Sequence, residues 1–448
     1  MSRSQSVKIF SLNVHSWLNP DRDPLKLIDH SVYEMAKKLE PDISCFQEVK
    51  HPHPAEPAKA ENVVRITAND RTLFRYGNDE TDEEIKKRLI IPPEYTFSFE
   101  EEQFMNDKDF RNKKRYLDFA FPYESKITCQ PSLTSLMKIA QGMGATTEHA
   151  HFTPPSTHNP TFGNSIICMA NRGTVEAKVM KVGKRTELRA ATKIILDVAG
   201  HNWDFAVINL HLDHMREEAR IEQMEQLLAW LKEKEGSYLP HALVGDFNAV
   251  SYWTEEVMAS RLKCNLQPST DELFKFLSET HGYRDLEKTV PPRTTSIYDV
   301  RVDYIFCSPM MLPRVDREKT RFDVLESESD HSAMFGNLVL RSDKLAIGVM
   351  GSEQVEVDAF AAELKGLMVD TGLGETELVQ DIATLPERFS EVTNVIVVGN
   401  IKDVLPSLDL VFHLDDIDVE TINERHRRKV VKVSTPQDAL GHINMYLH

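Results

Sequence analysis

The sequence predicts an α/β protein in which helices cover the outer faces of sheets, followed by a smaller α/β domain. Short β-type runs recur through the first three quarters of the 448 residues, with amphipathic helical patterns between them. After residue 343 apolar strands alternate regularly with helical segments, which is typical of a parallel sheet. The expected domains are therefore residues 1–341 and residues 344–448.

Eight segments of the first region carry the β pattern: VKIFSLNV, ISCFQEV, NSIICMA, ATKIILDVA, WDFAVINLHL, HALVGDF, VDYIFCS and SAMFGNLVL. Helices are predicted over Leu27–Leu39 and Arg216–Glu235, the second with an apolar stripe. From about residue 51 to residue 160 the pattern gives way to proline, histidine and charged stretches, which predicts a loop-rich insertion.

Charge and composition limit the classes of partner and the compartment. The net charge of −17 argues against broad attraction to nucleic acid or an anionic membrane, although a divalent cation would offset it locally. The five cysteines form no C-x-x-C pair, so neither a zinc knuckle nor a disulfide framework is expected. No signal-peptide core and no run of about 18 apolar residues is evident. A cytoplasmic protein without membrane insertion is expected.

The C-terminal domain carries no nucleotide-binding motif. Its first turn, GVMGSEQV, stands where a phosphate-binding loop would be, but Glu353, Gln354 and Val355 replace the glycine, lysine and hydroxyl residues of that motif. A structural, regulatory or partner-binding role is expected, with another protein as the partner.

Polar residues collect at the boundaries of the predicted strands. If the strands alternate in direction within two packed sheets, the ends of some strands meet the starts of others at one edge. This places one shared site at that edge, formed by Asn13, Glu48, His211, Asp246, Asn248, Asp303, Asp330 and His331.

This set contains carboxylates, amides and histidines but no thiol, which favours Mg²⁺ or Mn²⁺. Glu48 can bind the ion, Asp246 can orient and deprotonate a water, and Asn248 can hold that water or donate to a phosphate oxygen. His211 and His331 can donate to phosphate oxygens, and Asp303 or Asp330 can fix the tautomer of a histidine. Together these groups predict metal-assisted, in-line hydrolysis of a phosphoester.

The ordered motifs SLNVH, FQEV, NLHLDH, GDFN, RVDYIF and SDHSA resemble those of the endonuclease/exonuclease/phosphatase superfamily, which pancreatic-type deoxyribonuclease typifies. The resemblance covers roughly residues 7–341 and implies a two-sheet α/β sandwich, here with the small parallel α/β domain behind it. It also implies a magnesium-dependent hydrolase of phosphodiesters or phosphomonoesters.

The resemblance assigns roles position by position. It implies metal binding by Asn13, Glu48 and Asp330, and catalysis by a second group: His211, Asp246, Asn248, Asp303 and His331. Asn164, Asp213 and His214 are expected to line the substrate pocket.

Several substrates and one other class of protein stay open. Nucleic acid or a nucleotide-like diester competes with small-molecule and lipid head-group phosphoesters, and a catalytically silent binding module is a further alternative. The basic segments Arg111–Arg115 and Lys181–Arg185 would track a nucleic-acid backbone, or would be ordinary solvated segments. NLHLDH also approaches the H-x-H-x-D-H signature of dinuclear zinc hydrolases, but Asn209 replaces its first histidine.

Overall fold

The computed structural model describes residues 6–17, 28–51, 145–151, 161–169, 175–180, 189–196, 198, 200–214, 216–250, 272–289, 292–399, 401–415 and 422–447. These residues form two six-stranded mixed sheets and one five-stranded parallel sheet, with helices against them. The predicted α/β sandwich with a C-terminal α/β domain is therefore confirmed. The two basic segments named above lie outside the described residues.

The first sheet has the strand order β11-β12-β1-β2-β4-β3. Its strands are β1 (Ser6–Asn13), β2 (Ile43–His51), β3 (Ala145–His151), β4 (Thr161–Met169), β11 (Arg321–Leu325) and β12 (Ala333–Val339). Strands β1 and β2 are parallel, and their neighbours β12 and β4 are antiparallel to them. Strand β3 lies within the stretch predicted as a loop-rich insertion, so that stretch contributes an edge strand to the sheet.

The second sheet has the order β5-β6-β7-β8-β10-β9. Its strands are β5 (Val175–Met180), β6 (Arg189–Leu196), β7 (Phe205–His211), β8 (His241–Asp246), β9 (Arg284–Asp285) and β10 (Asp303–Cys307). The central pair, β7 and β8, is parallel, and β10 is antiparallel to β8. Both central strands are buried along their whole length, as continuous apolar runs predict.

Apolar residues of the two sheets interlock in one core, which includes Ile9, Cys45, Val207, Val244 and Ile305. Two helices cover the outer faces: α1 (Asp29–Leu39) lies on the first sheet and α2 (Glu217–Glu235) on the second. A short helix, α3 (Glu272–Lys275), continues as a π-helical turn over Phe276–Thr280. The result is a four-layer α/β/β/α sandwich.

The C-terminal domain contains β13 (Leu345–Met350), β14 (Thr376–Val379), β15 (Asn394–Val398), β16 (Leu410–His413) and β17 (Val430–Lys432), in the order β14-β15-β13-β16-β17. Helices α4 (Gln354–Asp370) and α7 (Pro436–Leu447) pack on one face of this sheet, and α5 (Leu385–Glu391) packs on the other. A short helix, α6 (Glu424–Arg427), precedes β17.

Buried polar contacts join the C-terminal domain to the sandwich. Arg314, which is 1% exposed, pairs with Asp409 at 3.2 Å, and its guanidinium lies over the ring of Trp203. The backbone N–H of Asp204 donates to Pro406 O at 2.7 Å. In the sandwich, Trp203 and Asp204 lie just before β7, and Arg314 lies after β10. The C-terminal domain therefore contacts the end of the second sheet opposite the C-terminal ends of β7 and β8.

None of the described helices has both the length and the apolar composition that crossing a membrane requires.

Candidate active site

Strand direction brings distant parts of the chain to one edge of the sandwich. The parallel strands β1, β2, β7 and β8 end there, and the antiparallel strands β10 and β12 begin there. Register places His211 and Asp303 on either side of Asp246. The polar residues predicted at strand boundaries therefore lie next to one another although more than 300 residues separate the first from the last.

Asn13 links two carboxylates. Its Nδ2 donates to Glu48 Oε1 and to Asp246 Oδ2, both at 3.1 Å. Its Oδ1 accepts the backbone N–H of His15 at 3.0 Å, which fixes the orientation of the amide. Asn13 thus presents its amino group to the carboxylates, and its predicted role as a metal ligand stays a prediction.

Glu48 occupies an irregular part of β2. The register between β2 and β4 shifts between Phe46 and Val49, and Glu48 has a φ of +54°. A bulge of this kind re-aims a side chain, and a positive φ is strained for a non-glycine residue. The Glu48 carboxylate, 26% exposed, is the most solvent-accessible acid that contacts Asn13, so it faces the opening of the site.

Asp303 and His331 form a closely bonded pair. His331 Nδ1 lies 2.9 Å from Asp303 Oδ2, and His331 Nε2 lies 3.8 Å from Asp246 Oδ2. Burial alone would lower the pKa of His331, but the charge of Asp303, the hydrogen bond that His331 donates to it and the charge of Asp246 raise that pKa. His331 therefore holds a proton at neutral pH and directs Nε2 towards Asp246.

Asp246 is the most buried acid of the site, at 1% exposure. Burial and the charge of Asp303 raise its pKa, against the opposing effects of His331 and two hydrogen bonds. One of those bonds comes from the backbone N–H of Asn248, which donates to Asp246 Oδ1 at 2.8 Å. The Asn248 side chain donates to Leu212 O at 3.0 Å, so in this structure it holds the neighbouring strand end.

His211 lies between the acids and a buried arginine. Its Nε2 is 3.5 Å from Asp246 Oδ2 and 4.0 Å from Glu48 Oε1. Arg189 Nη1 lies 3.1 Å from His211 Nδ1 and 3.2 Å from His211 Nε2. Burial and then the Arg189 charge hold the pKa of His211 well below its usual value, so this imidazole is neutral.

The residues predicted for the substrate pocket differ in position. His214 is exposed, and its Nδ1 lies 3.3 Å from Arg189 Nη2, close to His211. Asp213 is buried and accepts the backbone N–H of Arg216 at 2.9 Å, one residue before α2 begins. Asn164 is fully buried in β4, opposite Ala150 of β3, and its predicted place in the substrate pocket stays a prediction.

Two residues of this edge were not predicted from the sequence. His15 Nδ1 lies 2.9 Å from Asp330 Oδ2 and 4.0 Å from Glu48 Oε2, so it connects Asp330 to the acidic cluster. His15 ends the SLNVH motif that contains Asn13, so the sequence could have predicted its place at this edge. Arg189 is the first residue of β6, but it lies two residues before the predicted segment ATKIILDVA and belongs to no polar motif. The pairing of β6 with β7 brings it to His211.

Buried amides fix the two sheets behind the site. Asn209 donates to the backbone oxygens of Phe46 and Ser165, and its Oδ1 accepts from Gln47 Nε2 at 2.7 Å. Asn209 thus stands where the zinc signature requires a histidine, and it bridges the sheets. Gly245, with φ +132°, allows close contact there, because a Cβ would lie 2.1 Å from Leu210 O.

The donor atoms suit a hard divalent cation. Potential ligand atoms of Asp246, Asp303 and His331 all lie within 4.8 Å of one another, but His331 cannot bind a cation while it is protonated, so the carboxylates are the available ligands. The Glu48 carboxylate shares the Asn13 amino group with Asp246. Carboxylate oxygens are the preferred ligands of Mg²⁺ and Mn²⁺. Burial and then the charge of Asp303 raise the pKa of Asp246, and a nearby cation would offset both effects.

Comparison with solved structures finds proteins of low sequence identity. A protein from Beutenbergia cavernae, described as endonuclease/exonuclease/phosphatase, has 13% identity and a TM-score of 0.43, with 75% of this chain and 72% of that chain covered. The catalytic domain of human Nocturnin has 13% identity and a TM-score of 0.42, with 76% and 95% covered. A mannosyl-6-phosphatase from Bacteroides thetaiotaomicron has 14% identity and a TM-score of 0.39, with 75% and 100% covered.

No protein of curated function matches the chain. Residues 25–331, however, match the model of the Endonuclease/Exonuclease/phosphatase family. The match spans the strand ends that carry Glu48, His211, Asp246, Asp303 and His331. Because it covers more than half of the sequence, the chain belongs to the endonuclease/exonuclease/phosphatase family.

Proposed function

We propose that this protein hydrolyses phosphodiester bonds, in nucleic acid or a nucleotide-like substrate, with the help of Mg²⁺ or Mn²⁺. Members of the matched family are generally phosphoester hydrolases. The observation that carries the proposal is the contact network at the edge of the sandwich, in which Glu48, Asp246 and His331 connect through side-chain contacts of 4.0 Å or less.

Glu48 would hold the cation, with the predicted residues Asn13 and Asp330 beside it. The Glu48 carboxylate is partly exposed, and His15 lies between it and Asp330. His15 Nδ1 is 4.0 Å from Glu48 Oε2 and 2.9 Å from Asp330 Oδ2. Mg²⁺ usually keeps several waters and takes only one or two protein carboxylates, so a single well-placed glutamate is sufficient. When bound, the cation would neutralise charge on the phosphoryl group.

Asp246 is the proposed general base. Its raised pKa makes it a stronger base than an ordinary aspartate, and Asn13 and Asn248 hold its two oxygens in place. A water beside Asp246 Oδ2 would lose its proton to the carboxylate as it attacks phosphorus. In this assignment Asn248 acts chiefly by orienting Asp246.

The two histidines are proposed to stabilise the transition state in different protonation states. His331, protonated and fixed by Asp303, would donate its Nε2 proton to a phosphoryl oxygen. His211 is neutral and can donate through only one nitrogen. Arg189 can only donate and lies within 3.2 Å of both ring nitrogens, so one nitrogen accepts from Arg189 and the other carries the proton that His211 can donate.

Arg189 also supports a second candidate, a phosphomonoesterase acting on a small-molecule or lipid head-group phosphate. The guanidinium of Arg189 lies beside the exposed His214, and its positive charge stands next to His211. A terminal phosphate carries more negative charge than a diester, and cationic groups of this kind favour it.

A substrate panel tests both candidates. The full-length protein is incubated with Mg²⁺, and separately with EDTA, on single-stranded DNA and RNA, duplex DNA, bis-p-nitrophenyl phosphate and p-nitrophenyl phosphate. Turnover of the diesters with Mg²⁺, abolished by EDTA, supports the first candidate, and preference for the monoester supports the second. A matched pair of variants, His331→Ala in the site and His442→Ala in α7, checks that turnover belongs to this site.

No turnover of any substrate under these conditions would refute the proposal and favour a silent binding module. Equal turnover with EDTA and with Mg²⁺ would refute the role of the cation.

A further inference from the structure

Helix α2 connects the substrate side of the candidate site to the C-terminal domain. It contains 19 residues and is therefore about 28 Å long, at about 1.5 Å per residue. Its first residue follows the Asp213–His214 loop, and its last residue, Glu235, lies beside the C-terminal domain. A helix of this length spans a small domain and transmits an axial displacement with little compression.

At its N-terminal end, α2 holds the backbone of Asp213 from both sides. Gln223 Oε1 accepts the Asp213 N–H at 2.8 Å, and Arg220 Nη1 donates to Asp213 O at 2.9 Å. The preceding carbonyl, Leu212 O, accepts from Asn248 at 3.0 Å. Asn248 thus anchors the start of the loop near the end of β8, whereas Gln223 and Arg220 make the backbone of Asp213, next to His214, depend on the position of α2.

At its C-terminal end, α2 is held by α6 of the C-terminal domain. Glu235 pairs with Arg425 at 2.8 Å, and Arg425 also pairs with Asp204 at 2.8 Å. Glu235 and Asp204 are 7% and 2% exposed, so removing Arg425 would leave two buried carboxylates without this cation. Gly236, which ends the helix, lies against the backbone of Asp403, because a Cβ there would be 2.7 Å from Asp403 O.

Strand β6 forms a second connection between the same two ends. Lys193 of β6 pairs with Glu235, while Arg189, four residues earlier on the same strand, contacts His211 and His214. Residues four apart on a strand point to the same face, about 13 Å apart. Helix α2 and strand β6 are thus tied together near the C-terminal domain by Glu235 and near the site by the Asp213–His214 loop.

We infer that Arg425 is a positioning residue for substrate binding, acting through α2 and β6 on the Asp213–His214 loop. This inference rests on the proposed function, because it assumes that His214 and Arg189 lie on the substrate side of the site. The C-terminal domain, which contributes no described residue to the catalytic edge, would act on the reaction by fixing this loop.

The experiment compares two variants of the same domain interface in the full-length protein. Arg425→Gln removes the contacts to Glu235 and Asp204. Tyr446→Phe is the matched control, because it removes a hydroxyl that donates to Asp409 at 2.8 Å and accepts the Asn202 N–H at 3.1 Å, two contacts that lie outside α2 and β6. Arg425→Lys keeps the charge and tests for rescue.

Two readouts are measured: steady-state kinetics with Mg²⁺, and amide hydrogen exchange at Asp213, Arg216 and Arg220. In Arg425→Gln, KM is expected to rise about two- to tenfold with kcat unchanged, and exchange at these amides is expected to accelerate. Tyr446→Phe is expected to lower the unfolding midpoint without changing either readout. Arg425→Lys is expected to lie between Arg425→Gln and wild type.

Unchanged exchange at these amides in Arg425→Gln would overturn the inference, as would equal changes in Arg425→Gln and Tyr446→Phe. The exchange measurement needs no turnover. A wild-type protein that hydrolyses nothing would therefore refute the proposed function, while the exchange result would still decide the mechanical connection.

Discussion

Replacing Asp246 by asparagine should lower turnover and stabilise the metal-free protein. The variant removes one negative charge and keeps the size of the side chain. Asp246 is 1% exposed, and burial and the Asp303 charge raise its pKa from 3.8 to about 7. Because the folded pKa lies above the unfolded pKa, the stability that the protonated carboxyl contributes is complete below pH 3.8 and is lost as the pH rises to about 7.

The magnitude follows from this shift. At about 1.36 kcal/mol per pKa unit, the ionised carboxylate destabilises the fold at pH 8 by up to about 4 kcal/mol. The gain in Asp246→Asn is smaller, since the new amide group would face the Asn13 amide and the two histidines instead of accepting from them. We expect the free energy of unfolding to rise by about 1 to 3 kcal/mol at pH 8 in EDTA.

The assay combines urea unfolding at pH 4 and pH 8 in EDTA with turnover in Mg²⁺. Asp246→Asn should be more stable than wild type at pH 8, show little gain at pH 4, and lose at least about a hundredfold in kcat. Asp343→Asn is the control: it removes an exposed pair with Arg341, so it should leave turnover unchanged and lower the free energy of unfolding at pH 8 by less than about 1 kcal/mol. A variant with wild-type turnover, or one less stable than wild type at pH 8, would refute the assignment of Asp246 as a strained general base.

Three further variants test individual residues. Gly245→Ala places a Cβ 2.1 Å from Leu210 O and should lower the free energy of unfolding by more than about 4 kcal/mol. Its control, Gly366→Ala, has open space around the new Cβ and should not destabilise the protein. Equal urea midpoints in the two variants would contradict this prediction. Burial lowers the pKa of His241 to about 4, so the free energy of unfolding of the wild type should fall by up to about 3 kcal/mol between pH 6.5 and pH 4. The fall should be smaller in His241→Gln. Parallel curves of unfolding free energy against pH would contradict this prediction. His211→Gln should lower kcat about tenfold or more. It should not move the limbs of the pH–rate profile above pH 6, because the pKa of His211 lies well below 6.5. A limb displaced in that range would show that His211 titrates there and contradict the prediction.

The sequence was sufficient to place the polar strand ends at one edge. Runs such as ALVGDFN change from apolar to acidic within two residues, and a buried strand must end where the charge begins. The direction of each strand then decides which ends meet, and β1, β2, β7 and β8 do run the same way within their pairs. The catalytic roles of these residues stay predictions.

Other parts of the structure depend on long-range pairing that local patterns do not record. Strands β3 and β5 have charged or mixed sequences and exist only as edges against β4 and β6. Arg189 becomes part of the site through the register of β6 against β7, and His15 through a turn with φ +43°. The attachment of the C-terminal domain through Arg425 and Arg314 likewise joins residues distant in sequence.

The dependence of turnover on Mg²⁺ concentration, compared between wild type and Glu48→Gln, tests the central claim most directly. If the side chains at this edge hold a catalytic cation through Glu48, the variant should need about 10- to 100-fold more Mg²⁺ for half-maximal turnover. Identical Mg²⁺ dependence in the two proteins would contradict the claim.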